Sequence, residues 1–166
     1  MKKVLALLGI LVVGSAKADD ISLVAHGFSH HLDNHHFNQN DYGAAIRYDK
    51  DDFGLQIGGY RNSINNNSFY AGVDWSPYQR NISGCVDVSA GAFYGATTGY
   101  KYAVTPIVGL QGAIKCDKVF ARVRVFPDFI YNSKAVAAVE FGVVLGVARI
   151  GLGLCGHAEV AVGSQV

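Results

Sequence analysis

The sequence predicts an all-β chain: an eight-stranded antiparallel up-and-down transmembrane β-barrel with short periplasmic turns. Three observations predict it. After residue 18 the chain alternates apolar and polar residues at period 2, in segments of about nine to twelve residues separated by turn chemistry. The connections alternate between short and long, so the two kinds lie at opposite ends of a meander. One face of the segments is almost wholly apolar, and the other is rich in glycine and carries the charges.

The chain opens MKKVLALLGILVVGSAKADD. Lys2 and Lys3 are basic, Val4 to Val13 is apolar, and Ala16-Lys17-Ala18 is an A-x-A cleavage site. Residues 1–18 read as a signal peptide, 19–155 as the barrel domain and 156–166 as a C-terminal tail. The apolar run is too short for a spanning helix, which needs ~20 residues. Loss of Lys2, Lys3 and Lys17 from the 14 Lys and Arg leaves 11, against 13 Asp and Glu. That balance gives no basic footprint for nucleic acid. The apolar stretch 135–154 is interrupted by Glu140 and Arg149, so membrane crossing requires strands closed into a barrel.

The first strand, 21–31, sets Ile21, Leu23 and Ala25 on the apolar face and ends in a histidine-rich loop, 32–40. The second, 41–48, alternates Tyr42, Ala44, Ile46 and Tyr48 against Arg47, and Asp49-Lys50-Asp51-Asp52 turns the chain. The third, 53–61, sets Phe53, Leu55 and Ile57 against Gln56; Asn65-Asn66-Asn67 in the next loop tolerates left-handed backbone. The fourth, 68–77, sets Phe69, Ala71, Val73 and Trp75 against Asp74 and is followed by a turn over 78–84. The fifth, 85–95, sets Val86, Val88, Ala90 and Ala92 against Asp87. Loop 96–103 leads to the sixth, 104–115, with Val108, Leu110 and Ile114 against Gln111 and Lys115. Cys116-Asp117-Lys118 turns into the seventh, 119–127, where Val119, Ala121, Val123 and Val125 alternate with Arg122 and Arg124. Loop 128–134 leads to the eighth, 135–147, with Ala137, Val139, Phe141, Val143 and Leu145 opposite Glu140.

A soluble sandwich puts its apolar face inside, and a membrane barrel puts it outside. The leader, the small residues of the polar face and the aromatic residues near the strand ends favour the outer membrane. Tyr60, Phe69, Tyr70, Phe93, Tyr94, Phe126 and Phe129 are expected in one girdle. Tyr48, Phe53, Trp75, Tyr78 and Phe120 are expected in the other. The interior then holds Arg47, Asp74, Asp87, Lys115, Arg122, Arg124 and Glu140 as ion pairs, because an unpaired buried charge is costly. The expected interior is a plug, not a pore. A soluble periplasmic barrel or sandwich that binds a small ligand is the third reading.

An exported chain meets an oxidising compartment. Cys85 and Cys116 fall opposite each other at the short-turn end, which predicts a disulfide between them. Cys155 is left over, as a free thiol or as a replacement for one partner.

Strand count, loop alternation and face chemistry over 21–147 resemble the small eight-stranded outer-membrane barrels of the OmpA transmembrane-domain and OmpX type. Ser29-His30-His31 and Gly58-Gly59-Tyr60-Arg61-Asn62-Ser63 resemble turns of a bacterial and phage barrel family. Weaker features resemble PagP, a lipid A acyl-modifying barrel with a catalytic His, Asp and Ser at its outer rim. That resemblance implies His30, Asn62 and Ser63 as catalytic positions, with Asn62 where PagP has the acid. A hydroxyl nucleophile needs a base oriented by a third group, and Ser63 or Ser68, His30 or His31, and Asp33 or Asp128 supply the types. HHxxxHH with Asp33 or Asp41 could offer metal ligands, but adjacent histidines on a strand face opposite ways, and neither a metal nor a cofactor is expected. The expected function is structural or surface-interaction. The alternative is an enzyme acting on lipid A or phospholipid acyl chains at the outer rim. The expected partners are outer-membrane lipid and surface ligands met through the outer loops, with the chain as a monomer.

Overall fold

A computed structural model of the chain describes residues 19–32, 37–127 and 135–147. They form eight strands: β1 (Asp20–His31), β2 (Gly43–Lys50), β3 (Phe53–Arg61), β4 (Asn67–Ser83), β5 (Val86–Thr97), β6 (Thr105–Cys116), β7 (Val119–Phe126) and β8 (Val136–Val147). Each strand is antiparallel to the next, and β1 also pairs with β8, so the sheet closes into a barrel with no edge strand. Residues 1–18, expected as a signal peptide, Arg149, Cys155, residues 156–166, and Asp33, His35, His36, Asp128 and Phe129 lie outside the described residues.

One end is built from tight hairpins. Asp51-Asp52, Gly84-Cys85 and Asp117-Lys118 connect β2–β3, β4–β5 and β6–β7. Their first residues have φ of 52°, 50° and 52°, a region that Gly and Asp enter more readily than other residues. Cys85 therefore sits in a turn rather than starting β5. It is bonded to Cys116, with Cα atoms 4.8 Å apart. The remaining connections, at the opposite end, are longer.

β4 runs past the expected 68–77 to Ser83. Pro77 and the polar run after it read as a turn, but Pro77 falls in a bulge between Trp75 and Tyr78. A bulge is one of the few places where a sheet tolerates proline. The β4–β5 hairpin thus continues beyond the point where the turn was expected.

A second bulge decides which histidine faces inward. In the β1–β8 ladder His26 pairs with Glu140 and Phe28 with Val139, so Gly27 is an extra residue. An extra residue inverts the phase of everything after it. Before the bulge, Ser22 and Val24 are buried and Leu23 is exposed; after it, Ser29 and His31 are buried while Phe28 is exposed. His30 accordingly lies on the outer wall.

The inner and outer faces differ sharply. Leu23, Ile46, Leu55, Ile57, Leu110, Val123 and Phe141 are exposed on the outside, while Arg47, Gln56, Asp74, Arg122, Arg124 and Glu140 are buried within. Phe69, Tyr94, Phe53, Trp75 and Tyr78 point outward. The expected girdles are thinner than this face count implied, because Tyr70, Phe93 and Phe120 are buried inside, with Tyr60 and Phe126 packed against them. Glycines make the room. A Cβ at Gly72 would meet the Phe93 ring, and one at Gly142 would meet the Phe120 ring. Large rings on one strand are matched by bare backbone on the next.

The disulfide closes a sequence separation of 31 residues. By the chain-entropy relation, replacing Cys85 and Cys116 together by serine should lower stability by about 3–4 kcal/mol. Urea unfolding under non-reducing conditions reads this; unchanged stability would contradict a structural role for the bond.

Candidate functional site

A charge network crosses the barrel interior. Asp74 is fully buried, and Arg47, Arg122, Arg124 and Glu140 are nearly so. Arg47 Nη1 donates to Asp74 Oδ2 in a close ion pair. Arg124 Nη2 donates to Asp74 Oδ1 at 3.0 Å, and its Nη1 donates to Glu140 Oε1 at 2.7 Å. Arg122 Nη1 reaches Glu140 Oε2 at 3.4 Å. Gln56 Oε1 accepts from Arg122 at 3.2 Å and from Arg124 at 2.9 Å. Each buried carboxylate thus meets at least two guanidinium groups, which is how a low-dielectric interior tolerates them.

The third carboxylate is Asp49, hydrogen-bonded to Arg47 Nε at 2.8 Å. The expected β2, 41–48, stops one residue short of it, although one more step of period 2 from Arg47 reaches it. Asp87 does not join the network. β4 extends below the expected turn, so Asp87 lies exposed on the hairpin and accepts a hydrogen bond from Asn81 at 3.0 Å. Lys115 also lies outside it, at the short-turn end, paired with Asp20 at 3.0 Å.

Above the network, toward the long loops, lies a cup of about 380 Å³. Its floor carries Arg124, Glu140, His26 and Tyr70. Glu140 Oε1 lies 3.4 Å from His26 Nδ1, and the Tyr70 hydroxyl lies 2.9 Å from His26 Nε2. The Arg124 guanidinium packs 4.1 Å from the Phe93 ring centroid, and Phe93 meets Phe126 edge-on at 6.1 Å. Phe37, Tyr60, Ile64, Tyr100 and Ile107 complete an aromatic and aliphatic wall. Ser29, His31, Asp41, Ser63 and Lys101 add polar groups to the same lining.

Two of the lining groups in the connections between strands titrate unusually. Burial pushes the Asp41 carboxyl up to about 6, against a hydrogen bond with Ser29 that pulls it down. Burial likewise pushes the Tyr100 phenol up, and Tyr60 adds to this, while a hydrogen bond with Ser63 opposes it.

The expected trio of His30, Asn62 and Ser63 is not brought together. The bulge at Gly27 turns His30 to the outer wall and places His31 at the cup instead. Asn62 is fully buried and organises the backbone. Its Oδ1 accepts from the Ile64 and Asn66 amides at 3.1 and 2.8 Å, and its Nδ2 donates to Ser68 Oγ at 2.9 Å and Gly99 O at 3.0 Å. Of the three, Ser63 alone lines the cup. His26, Tyr70 and Asp41 are site residues that alternation alone did not single out. His26 had a signal, as a polar residue at an inward position of β1. Among the described residues, the one group with metal-ligand spacing is Cys85, Cys116 and Asp117, and its two sulfurs are bonded to each other.

Arg124 bridges both buried carboxylates, so Arg124→Met leaves Asp74 and Glu140 short of a partner. It should destabilise the barrel by about 3–5 kcal/mol in denaturant unfolding. Adding Glu140→Gln should recover part of that loss, and additive losses would contradict a shared network.

For Asp41, the folded carboxyl holds its proton up to about 6, where the ordinary value is 3.8. The folded chain therefore binds more protons across that window, and stability falls as pH rises through it. Asp41→Asn should raise the melting temperature above pH ~7 and leave it unchanged below pH ~4. Equal melting temperatures at both would contradict the burial of this carboxyl.

No protein-family model matches the chain, and no curated protein matches it.

Proposed function

We propose that the chain is an integral outer-membrane barrel with a structural or surface-interaction role, closed to ion flow by its interior. The observation that carries this reading is the inversion of the two faces. Leu23, Ile46, Ile57, Leu110, Val123 and Phe141 cover the outside at mid-strand, while guanidinium groups and carboxylates fill the inside. In water that arrangement would leave a belt of hydrocarbon exposed far beyond what soluble proteins carry. In lipid it is the favoured one, because closed strands satisfy every backbone group.

Further features support it. The leader 1–18 directs export. Exposed Phe53, Trp75 and Tyr78 lie toward the tight turns, and Tyr42, Phe69 and Tyr94 toward the long loops, as belts at two interfaces would. With the tight turns in the periplasm, the long loops face outward and carry whatever surface contacts the protein makes. A closed sheet offers no edge for pairing with a second copy, which favours a monomer in lipid.

The folded barrel should fractionate with outer membranes, need detergent for extraction, and migrate faster on gels before heating than after. Clean solubility without detergent would contradict the membrane placement. In planar bilayers the wild type should give no steady conductance; open-channel steps would contradict the plug.

A further inference from the structure

The carboxylates of the charge network are neutralised one by one, and the carboxyl at the cup is not. Asp49, Asp74 and Glu140 each meet a guanidinium. Asp41, half-buried in the cup lining, meets the Ser29 hydroxyl, and among the described residues no cation pairs with it. Lys101 lines the same cup, but its ammonium lies over the Tyr102 ring, 5.9 Å from the centroid. Arg124, at the floor, is already held by Asp74 and Glu140. Burial makes the Asp41 carboxyl costly to ionise at neutral pH. A charge held where it costs stability is a mark of binding sites.

The surroundings of that carboxyl are aromatic. Asp41 lies within electrostatic reach of the Tyr60 and Tyr100 phenols. Those two hydroxyls lie 3.3 Å apart, and Tyr70 meets Tyr60 edge-on with ring centroids at 5.8 Å. The face of an aromatic ring attracts a cation, and does so more strongly where water is excluded. Thr105 Oγ1 adds an acceptor to the same lining: it is buried and has no hydrogen-bond partner among the described residues.

We propose that the cup binds a small organic ammonium ion, its nitrogen between Asp41 and the rings of Tyr60 and Tyr100, its apolar body against Phe93 and Phe126. Asp41 supplies the missing counter-charge, and an N–H of the ligand donates to it. The rings hold the same nitrogen by their faces. Phe93 covers part of the Arg124 charge, so the body of the ligand meets ring surface rather than a guanidinium. The volume of about 380 Å³ falls within the range of small-ligand cavities. A hydrated metal ion fits worse, because one carboxylate among rings cannot replace its oxygen shell. The inference goes beyond a structural or surface role. It does not depend on the membrane placement, since the cup and its lining are the same whatever surrounds the barrel.

The test uses the folded chain, residues 19–166, in an uncharged maltoside detergent, because choline-headgroup detergents carry a competing ammonium ion. The probe is 2-phenylethylammonium, titrated at pH 7.5 by calorimetry against detergent blanks, beside 2-phenylethanol, which has the same body without the charge. The wild type should bind the ammonium ion at least about tenfold more tightly than the alcohol. Asp41→Asn should remove that preference, and its melting temperature at pH 7.5, at or above that of the wild type, shows that it is folded. Tyr100→Leu, which keeps an apolar group but no ring face, should weaken binding of the ammonium ion about threefold or more. Equal affinity of the wild type for ammonium and alcohol would overturn the proposal. So would an ammonium ion bound as tightly by Asp41→Asn, or no heat of binding to the wild type at millimolar ligand. Unchanged affinity in Tyr100→Leu would overturn the ring contact. None of these results bears on the membrane placement, which fractionation tests separately.

Discussion

Three guanidinium groups and three carboxylates share the inside of a closed sheet. Asp74 is held between Arg47 and Arg124, Glu140 between Arg124 and Arg122, and Asp49 sits against Arg47. These residues come from four separate strands, so the network exists only when the barrel has closed. Removing any one partner strands a charge in a medium that penalises it by several kcal/mol. The same network forces the apolar side chains outward, since the strands alternate and the inside is already filled. Inversion of the two faces and closure of the bore are thus consequences of one constraint.

The shape of the cup follows from that constraint together with the glycine pattern. Phe93 and Phe120 fold inward onto Gly72 and Gly142, and the cations of Arg124 and Arg122 lie over those two rings. Phe93 covers part of the Arg124 charge at the cup, so a largely apolar space lies above an ionic floor, while Phe120 lies on the tight-turn side of the network. His26 links the two levels, with Glu140 on one nitrogen and Tyr70 on the other. At the long-loop end the wall depends on Asn62, whose side chain holds the β3–β4 turn against Gly99 of the neighbouring loop.

Much of this was legible in the sequence, and the failures have physical causes. Period 2 and turn chemistry place all eight strands, because each strand has one face in contact with a uniform medium. The Cys85–Cys116 bond is legible because both residues lie at the tight-turn end, where two-residue hairpins hold register. Bulges defeat the same reasoning. Gly27 inverts the phase of β1 and exchanges the places of His30 and His31; Pro77 sits in a bulge that lets β4 run on and carries Asp87 out of the interior. Aromatic residues mislead for another reason: nearness to a strand end does not tell an inward ring from an outward one, and it is the phase of each strand that sets Phe69 outside and Phe93 inside. Asn62 has the residue type of a catalytic group but is occupied by backbone hydrogen bonds, which spacing cannot reveal.

The inversion of the faces is the central claim, and the chain carries its own probe of it. Trp75 is the single tryptophan, and it lies on the outer wall with about half its surface exposed. In vesicles of lipid brominated along the acyl chains, its fluorescence should be strongly quenched and its emission should lie to the blue of tryptophan in water. Quenching by a water-soluble quencher such as iodide, with none by brominated chains and emission characteristic of water, would contradict the account.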